Sequence, residues 1–255
     1  MMVDSLKEMA EMASARASVY GLLADIFREE PSETLLSRLR APENSGALQA
    51  LDLSLDEVFG NTPQEQLAEN LAIEYTRLFL GPGSHIPPNE SMHVTSRFGE
   101  PNSLWGAATV AVKKFMEGAG LKVADSFPGM PDHITAEFEF MQQLLLKEAE
   151  AWSNDDEELG ANILKIEKRF YDEHLSLWVS CFCDKVIEAS KDSFYGEFSE
   201  VTKAFVDFEE ATMQGFIEDS IIVKQISGTW IPDRDAAQGP RAGAGNDDLA
   251  VRRRL

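Results

Sequence analysis

Asp132 and His133 follow Pro131 directly, where an apolar helical stripe begins, and they are the adjacent pair best suited to acid–base or hydrogen-bonding work. Asp132 is read as the N-cap, accepting from orphan backbone N–H groups of the first turn. His133 then lies near the positive end of the helix dipole, which lowers its pKa and favours the neutral ring. A neutral imidazole there can donate to or accept from a bound backbone; equally, Asp132 can only cap and His133 only hydrogen-bond a neighbouring loop. His85, His93, His133 and His174 form no H-x-x-x-H or H-E-x-x-H pair, so no helical metal site is read. His174 sits on an apolar helical face and reads as a core histidine. Glu137 and Glu139 flank Phe138; two residues apart on a helix, they do not share a face, and no carboxylate dyad is expected. Ser91 has no adjacent base and no G-x-S-x-G elbow exists. Gly81-Pro82-Gly83 is no phosphate loop, because the G-x-x-x-x-G-K-[ST] pattern is missing and Pro82 removes an N–H. No catalytic residue, metal or cofactor is expected.

The stretch Ile73–Ser91, I-E-Y-T-R-L-F-L-G-P-G-S-H-I-P-P-N-E-S, is the one the Asp-His corner must meet. It begins as the end of an apolar helix, breaks at Gly81-Pro82-Gly83, runs stiff through Pro87-Pro88 and closes on Glu90-Ser91. Proline fixes φ, removes a donor and pushes the preceding residue out of helical geometry. A long, rigid, partly apolar loop on a helical scaffold is a binding site or a mere connector.

Composition narrows the classes. The 255 residues, 44% of them hydrophobic, suffice for a buried core in one large domain or two small ones. A formal net charge of −21 argues against nucleic acid and anionic membrane surfaces; it reads as a solvated acidic surface or as one that favours a basic partner. Neither a basic-then-apolar leader nor a spanning run of about 18 apolar residues is found, so the chain is read as cytoplasmic without membrane insertion. Cys181 and Cys183 make a C-x-C pair within a helix, read as two reduced, half-buried thiols.

The elements around these residues read as helices throughout. The first runs from Asp4, as cap, to Arg28, with Met9, Met12, Ala13, Ala17, Tyr20, Leu23, Ala24 and Phe27 in step. Shorter ones cover Ser32–Arg40 and Ala47–Phe59. Thr62-Pro63-Gln64-Glu65 reads as a capping box opening the helix that delivers the chain into the loop. Asn102 or Ser103 caps the next helix, which runs through Trp105 to the Gly118-Ala119-Gly120 stop. From Asp132 the stripe Ile134, Phe138, Met141, Leu145 marks a deeply packed helix; another opens at Asn154-Asp155-Asp156 and breaks near His174. The last begins near Phe194. The expectation is an all-α, single-domain bundle of roughly nine to eleven helices over residues 1–227, with a disordered tail over 228–255 that carries Arg252, Arg253 and Arg254.

Three segments carry a resemblance: Tyr75-Thr76-Arg77-Leu78-Phe79-Leu80-Gly81-Pro82-Gly83, then Pro87-Pro88-Asn89-Glu90-Ser91, then Pro131-Asp132-His133-Ile134-Thr135-Ala136-Glu137-Phe138-Glu139-Phe140-Met141. In order and spacing they resemble the TorD/DmsD family of redox-enzyme maturation chaperones, related to the NarJ nitrate reductase delta-type chaperones, across roughly Ala10 to Val223. The resemblance implies an all-helical chaperone, not an enzyme. Its client is the apo catalytic subunit of a molybdenum-cofactor reductase or dehydrogenase, often bound through a twin-arginine signal peptide and held until cofactor insertion. Carried over residue by residue, it places client binding on Tyr75, Leu78, Phe79, Gly81, Pro87, Pro88, Glu90, Ser91, Asp132 and His133. Relatives often carry an aromatic where this chain has Asn89, so Phe98 or Trp105 is a candidate to fill in. Leu78, Phe79, Pro87 and Pro88 are expected to line a groove for the apolar part of a leader. A client without an export signal, or a small-molecule enzyme using Asp132 and His133, are the alternative readings. Long loops allow a monomer or a domain-swapped dimer.

Overall fold

Apart from one isolated β-bridge, the regular structure among the described residues is helical, as the sustained 3.6-residue periodicity requires. The structure, a computed structural model, describes residues 2–53, 59, 61–81, 83–94, 105–124, 127–190 and 193–219. Phe98, Asn102, Ser103, Pro82 and the whole segment 228–255 lie outside the described residues.

The helices are α1 (Met2–Arg28), α2 (Glu33–Leu39), α3 (Ser45–Ala50), α4 (Gln64–Tyr75), α5 (Ala107–Gly118), α6 (Ile134–Ser153), α7 (Glu157–Phe170), α8 (Ser176–Ala189) and α9 (Phe194–Asp219). α6 is the rod on which α1 and α7 pack, while α9 lies against α8. Val19, Tyr20, Leu22, Leu23, Ile26 and Phe27 are all buried, so the second half of α1 is enclosed on nearly every side. Met12 faces outward instead of inward, because the stripe at that turn runs through Ala10, Ala13 and Ala17.

Local signals set some helix ends and tertiary contacts set others. Ser32 caps α2, its side chain accepting from Leu35 N–H at 3.2 Å. The capping box expected at Thr62 does not form: Pro63 is extended (φ −55°, ψ 141°) and α4 starts at Gln64 with no side-chain cap. Gln64 is instead docked on α2, donating to Glu33 O at 3.0 Å and Ser37 Oγ at 2.9 Å. α5 starts at Ala107 rather than at Asn102 or Ser103, and Trp105, expected inside it, is exposed with φ 64°. Gly120, at φ 76°, makes the left-handed turn that ends α5.

α6 and α7 are joined by Asn154, Asp155 and Asp156 alone. Asp155 takes the left-handed conformation, and Asp156 Oδ1 accepts from Leu159 N–H at 3.1 Å. The break expected near His174 is a widening instead. Tyr171–Leu175 form a π turn, after which the same rod continues as α8. A π turn inserts one extra residue into the register, and such turns recur where a side chain must be re-aimed. Here Tyr171 donates to Val206 O at 2.8 Å and His174 turns inward. Cys181 is exposed and Cys183 buried, both unpaired, rather than two half-buried thiols.

Candidate functional site

The helix that delivers the loop does not end abruptly. α4 passes into a second π turn, Thr76–Leu80, which points Leu78 and Phe79 into the core. Phe79 meets Phe27, Tyr75 and Tyr195 edge-on and stacks on Phe182 at 6.0 Å. Tyr75 donates to Phe27 O at 3.4 Å, and burial pushes its phenol up to about 12. Tyr75, Leu78 and Phe79 are therefore not walls of an open groove, which corrects the expectation for Leu78 and Phe79. Aromatic rings this large contribute more by filling the core than by facing water. Gly81 leaves the turn extended, where a Cβ would sit 3.1 Å from Thr76 O; Gly83, at φ 126°, adopts backbone that only glycine takes readily.

The loop then folds back, Ile86 N–H donating to Leu78 O at 2.7 Å. The prolines hold Ile86–Asn89 extended, and this segment lies across the start of α6. Asn89 pairs with His133 in an antiparallel bridge, framed by Glu90 N–H to Asp132 O and Ile134 N–H to Pro88 O, each 2.9 Å. The structure thus joins Pro88, Glu90, Ser91, Asp132 and His133 in one corner. Asn89, Glu90, Ser91, Asp132 and His133 are buried there, so the corner is a closed joint.

Asp132 and His133 exchange the roles read from sequence. His133, not Asp132, is the N-cap of α6, its Nδ1 accepting from Thr135 N–H at 3.2 Å. Asp132 reaches across: its Oδ2 accepts from Ser91 N–H at 3.0 Å, in the first turn of the short 3₁₀ helix Glu90–Met92. Burial pushes the His133 imidazole down to about 4, Asp132 opposing and the Arg28 charge adding to the fall. A ring kept neutral has the acceptor that capping needs. Asp132 is engaged with Ser91 and His133 with Thr135, so this pair serves the joint, which counts against its use as an acid–base couple. Asp132→Ala leaves the buried Ser91 N–H without an acceptor. The expected loss is about 1–3 kcal/mol of unfolding free energy, read by urea titration, with Asp132→Asn retaining most of it.

Sequence reasoning missed Glu137. It falls in the inward stripe with Ile134, Phe138 and Met141, three residues after the first of them, and that placement is the signal that finds it. Glu137 is fully buried, with Oε2 accepting from Trp178 Nε1–H at 3.1 Å, and it lies within hydrogen-bonding reach of Glu90. Glu90 Oε2 in turn lies 2.9 Å from His174 Nδ1, on the π turn before α8. Burial first, then Glu90 and Asp132, hold the Glu137 carboxyl well above the ordinary glutamate range, against Trp178. A dyad exists after all, between α6 and the loop rather than within α6. His93 closes the loop's far end: its Nε2 lies 2.7 Å from Pro87 O, its ring stacks on Trp178, and Lys185 Nζ donates to its Nδ1 at 3.1 Å. Burial lowers the His93 pKa, the Pro87 carbonyl opposing and Lys185 adding, which suits a ring that donates at one nitrogen and accepts at the other.

What remains accessible is the loop's rim. Leu80 is 60% exposed; Gly83, Ser84 and His85 are exposed; Gly81, Ile86 and Pro87 are half-buried. Trp105, a candidate for the place of an aromatic beside Pro88, is 70% exposed, whereas Asn89 is buried. Among the described residues, no group of three His, Cys, Asp or Glu is arranged to hold a metal ion, and no helix is long and apolar enough to cross a membrane.

Residues 41–184 match the family model described as nitrate reductase delta subunit. Chaperone protein TorD of Shewanella loihica is 26% identical over 206 residues, spanning 76% of this chain and 91% of that protein. Chaperone protein TorD of Shewanella sp. (strain ANA-3) is 29% identical over 217 residues, spanning 78% and 94%. A solved structure described as a redox enzyme maturation protein from Archaeoglobus fulgidus is similar at a TM-score of 0.41 and 23% identity, covering 74% of this chain and 93% of that one. The family match takes in both the loop and the Asp-His corner, and the chain belongs to the nitrate reductase delta subunit family as a TorD-type redox-enzyme maturation chaperone, not an enzyme.

Proposed function

We propose that this chaperone binds the apo catalytic subunit of a molybdopterin-dependent oxidoreductase through that subunit's twin-arginine signal peptide, in the cytoplasm, and holds it until the cofactor is inserted. The observation that carries the reading is the accessible rim of Leu80, Gly81 and Gly83–Pro87, held by the buried corner beside it, on a chain of net charge −21. The apolar part of a leader lies against Leu80, Gly81, Ile86 and Pro87. Tyr75, Leu78, Phe79, Pro88, Glu90, Ser91, Asp132 and His133 serve the site from below, as its frame. The acidic surface attracts the two arginines and speeds encounter more than it tightens the complex. A frame already rigid before binding keeps the ordering cost of association low.

Titration calorimetry and stopped-flow mixing with a synthetic leader test this. An R-R leader is expected to bind in a 1:1 complex with an association rate that falls as salt rises, and an A-A leader to associate more slowly. Leu80→Ser, at an exposed position, should weaken binding without a change in melting temperature. If the R-R leader does not bind while the leaderless catalytic subunit does, the chaperone serves a client without an export signal.

A further inference from the structure

We infer that Glu137 of α6 and Glu90 of the loop share one proton, and that this acid–carboxylate pair is the positioning element that fixes the Glu90–Met92 turn, and with it the Pro87–Ser91 segment, against α6 and α8. A proton between the two carboxyls gives both oxygens of Glu137 a partner. Trp178 Nε1–H donates to Glu137 Oε2, and His174 Nδ1–H, facing an oxygen that can only accept, donates to Glu90 Oε2. Glu137 Oε1 is buried with no hydrogen-bond partner among the described residues, and Glu137 lies within hydrogen-bonding reach of a second carboxyl, that of Glu90. Two ionised carboxylates there would repel and leave Oε1 desolvated without a hydrogen bond. A proton on Oε1 turns the repulsion into a charge-assisted O–H···O⁻ bond, the stronger class of hydrogen bond.

The groups facing the pair come from three elements: Asp132 at the foot of α6, its Oδ2 already taken by Ser91 N–H; His174 on the π turn; and Trp178 on α8. Asp132 adds a third carboxylate and so favours retention of the proton, as its effect on Glu137 indicates. Lys185 reaches His93, at the far side of Trp178, rather than the pair. The π turn Tyr171–Leu175 has its purpose here, since the register shift brings His174 onto Glu90. Loop, corner and π turn therefore meet at one proton.

The pH dependence follows from the direction of the shift. Glu137 holds its proton more tightly folded than unfolded, so the stabilisation is fully present below the ordinary glutamate value of 4.5 and is lost as pH rises through the folded value. Glu137→Gln keeps the shape, keeps an acceptor for Trp178 and supplies a permanent N–H to Glu90. Relative to Glu137→Gln, the wild-type unfolding constant is expected to rise by up to about tenfold per pH unit between pH 4.5 and the folded value, the signature of one extra proton bound on folding. Infrared spectra of the two proteins just above pH 4.5, where an ordinary glutamate is ionised, should differ by one buried protonated-carboxyl band, present in the wild type. Glu90→Gln, which removes the facing charge but leaves Glu137 buried, should reduce the slope of the stability profile without abolishing it, and guards against a failure of the first variant to fold. Parallel stability–pH curves for wild type and variant, with no difference in the carboxyl band, overturn the inference. The positioning role rests on the proposed function only in its last arm: leader affinity should weaken with rising pH in the wild type and not in Glu137→Gln. A wild type that binds no leader at any pH refutes the proposed function, while the stability and infrared arms still decide on the proton.

Discussion

Replacing Arg16 with methionine is expected to remove about 3–5 kcal/mol of unfolding free energy, the range for a buried ion pair left with one partner. Arg16 is 3% exposed and is the cation at the meeting of four helices. Its Nε and one terminal nitrogen donate to both oxygens of Glu209 on α9, at 2.7 and 2.8 Å, while Glu167 of α7 lies at 3.3 Å and Glu148 of α6 at 3.6 Å. A guanidinium has the fork geometry to hold Glu209 by both oxygens and still reach two more acids. Burial above all holds the Glu167 carboxyl well above its ordinary range, with Glu148 adding, and burial also raises Glu148 against the pull of Arg16. Trp152 Nε1–H steadies Glu148 at 2.8 Å. Without Arg16 the Glu209 carboxylate is buried without its cation, a cost that is a large fraction of a domain's whole stability. The effect has a sign in pH. Once the cation is gone, protonation of the acids relieves the cost, so the gap between Arg16→Met and wild type should shrink as pH falls. Urea titrations at pH 5 and pH 8 measure it; a gap that is small, or that widens at low pH, counts against this account.

Phe79→Ala is expected to cost about 3–5 kcal/mol, the range for truncating a buried phenylalanine. Its ring touches four other aromatic rings on α1, α4, α8 and α9, so the cavity opens where four helices meet. A well-packed interior relaxes only partly around such a void. The π turn that carries Phe79 also carries Leu78, whose carbonyl holds Ile86, so loosening there frees the start of the loop. Client binding should weaken in Phe79→Ala in proportion to the lost stability. The neighbouring exposed Leu80 separates the two effects: its replacement by serine should leave stability within about 0.5 kcal/mol and change client affinity alone. Denaturant midpoints and leader affinities measured on both variants decide; equal stability of Phe79→Ala and wild type overturns the core assignment.

The helical class was legible because the apolar spacing of α1, α4, α6 and α7 repeats at 3.6 residues, a periodicity that acts within one element and needs no knowledge of its neighbours. The Gly-Pro-Gly and Pro-Pro breaks were legible for a similar reason, since proline restricts its own backbone and that of the residue before it. The stripe through Ile134, Phe138 and Met141 gave α6 its buried face. Glu137 stood in that stripe, yet comparison with Glu139 on the same helix found no partner for it, because the partner came from a loop 47 residues earlier in the chain.

Local chemistry thus determined which segments are helices, where the rigid loop lies and which family motifs it carries. Tertiary structure decided who caps whom. Asp132 serves the Glu90–Met92 turn and His133 serves α6, because the Pro87–Ser91 segment arrives alongside and offers Asp132 the Ser91 N–H. It also decided that Leu78 and Phe79, which follow Leu71 and Tyr75 on the apolar side of α4, are fully enclosed rather than open to a groove, since rings from α1, α8 and α9 close over Phe79. Hydrogen bonds and ion pairs between distant residues depend on where whole helices come to rest, and that is fixed by the packing of the entire core rather than by any one stretch of it.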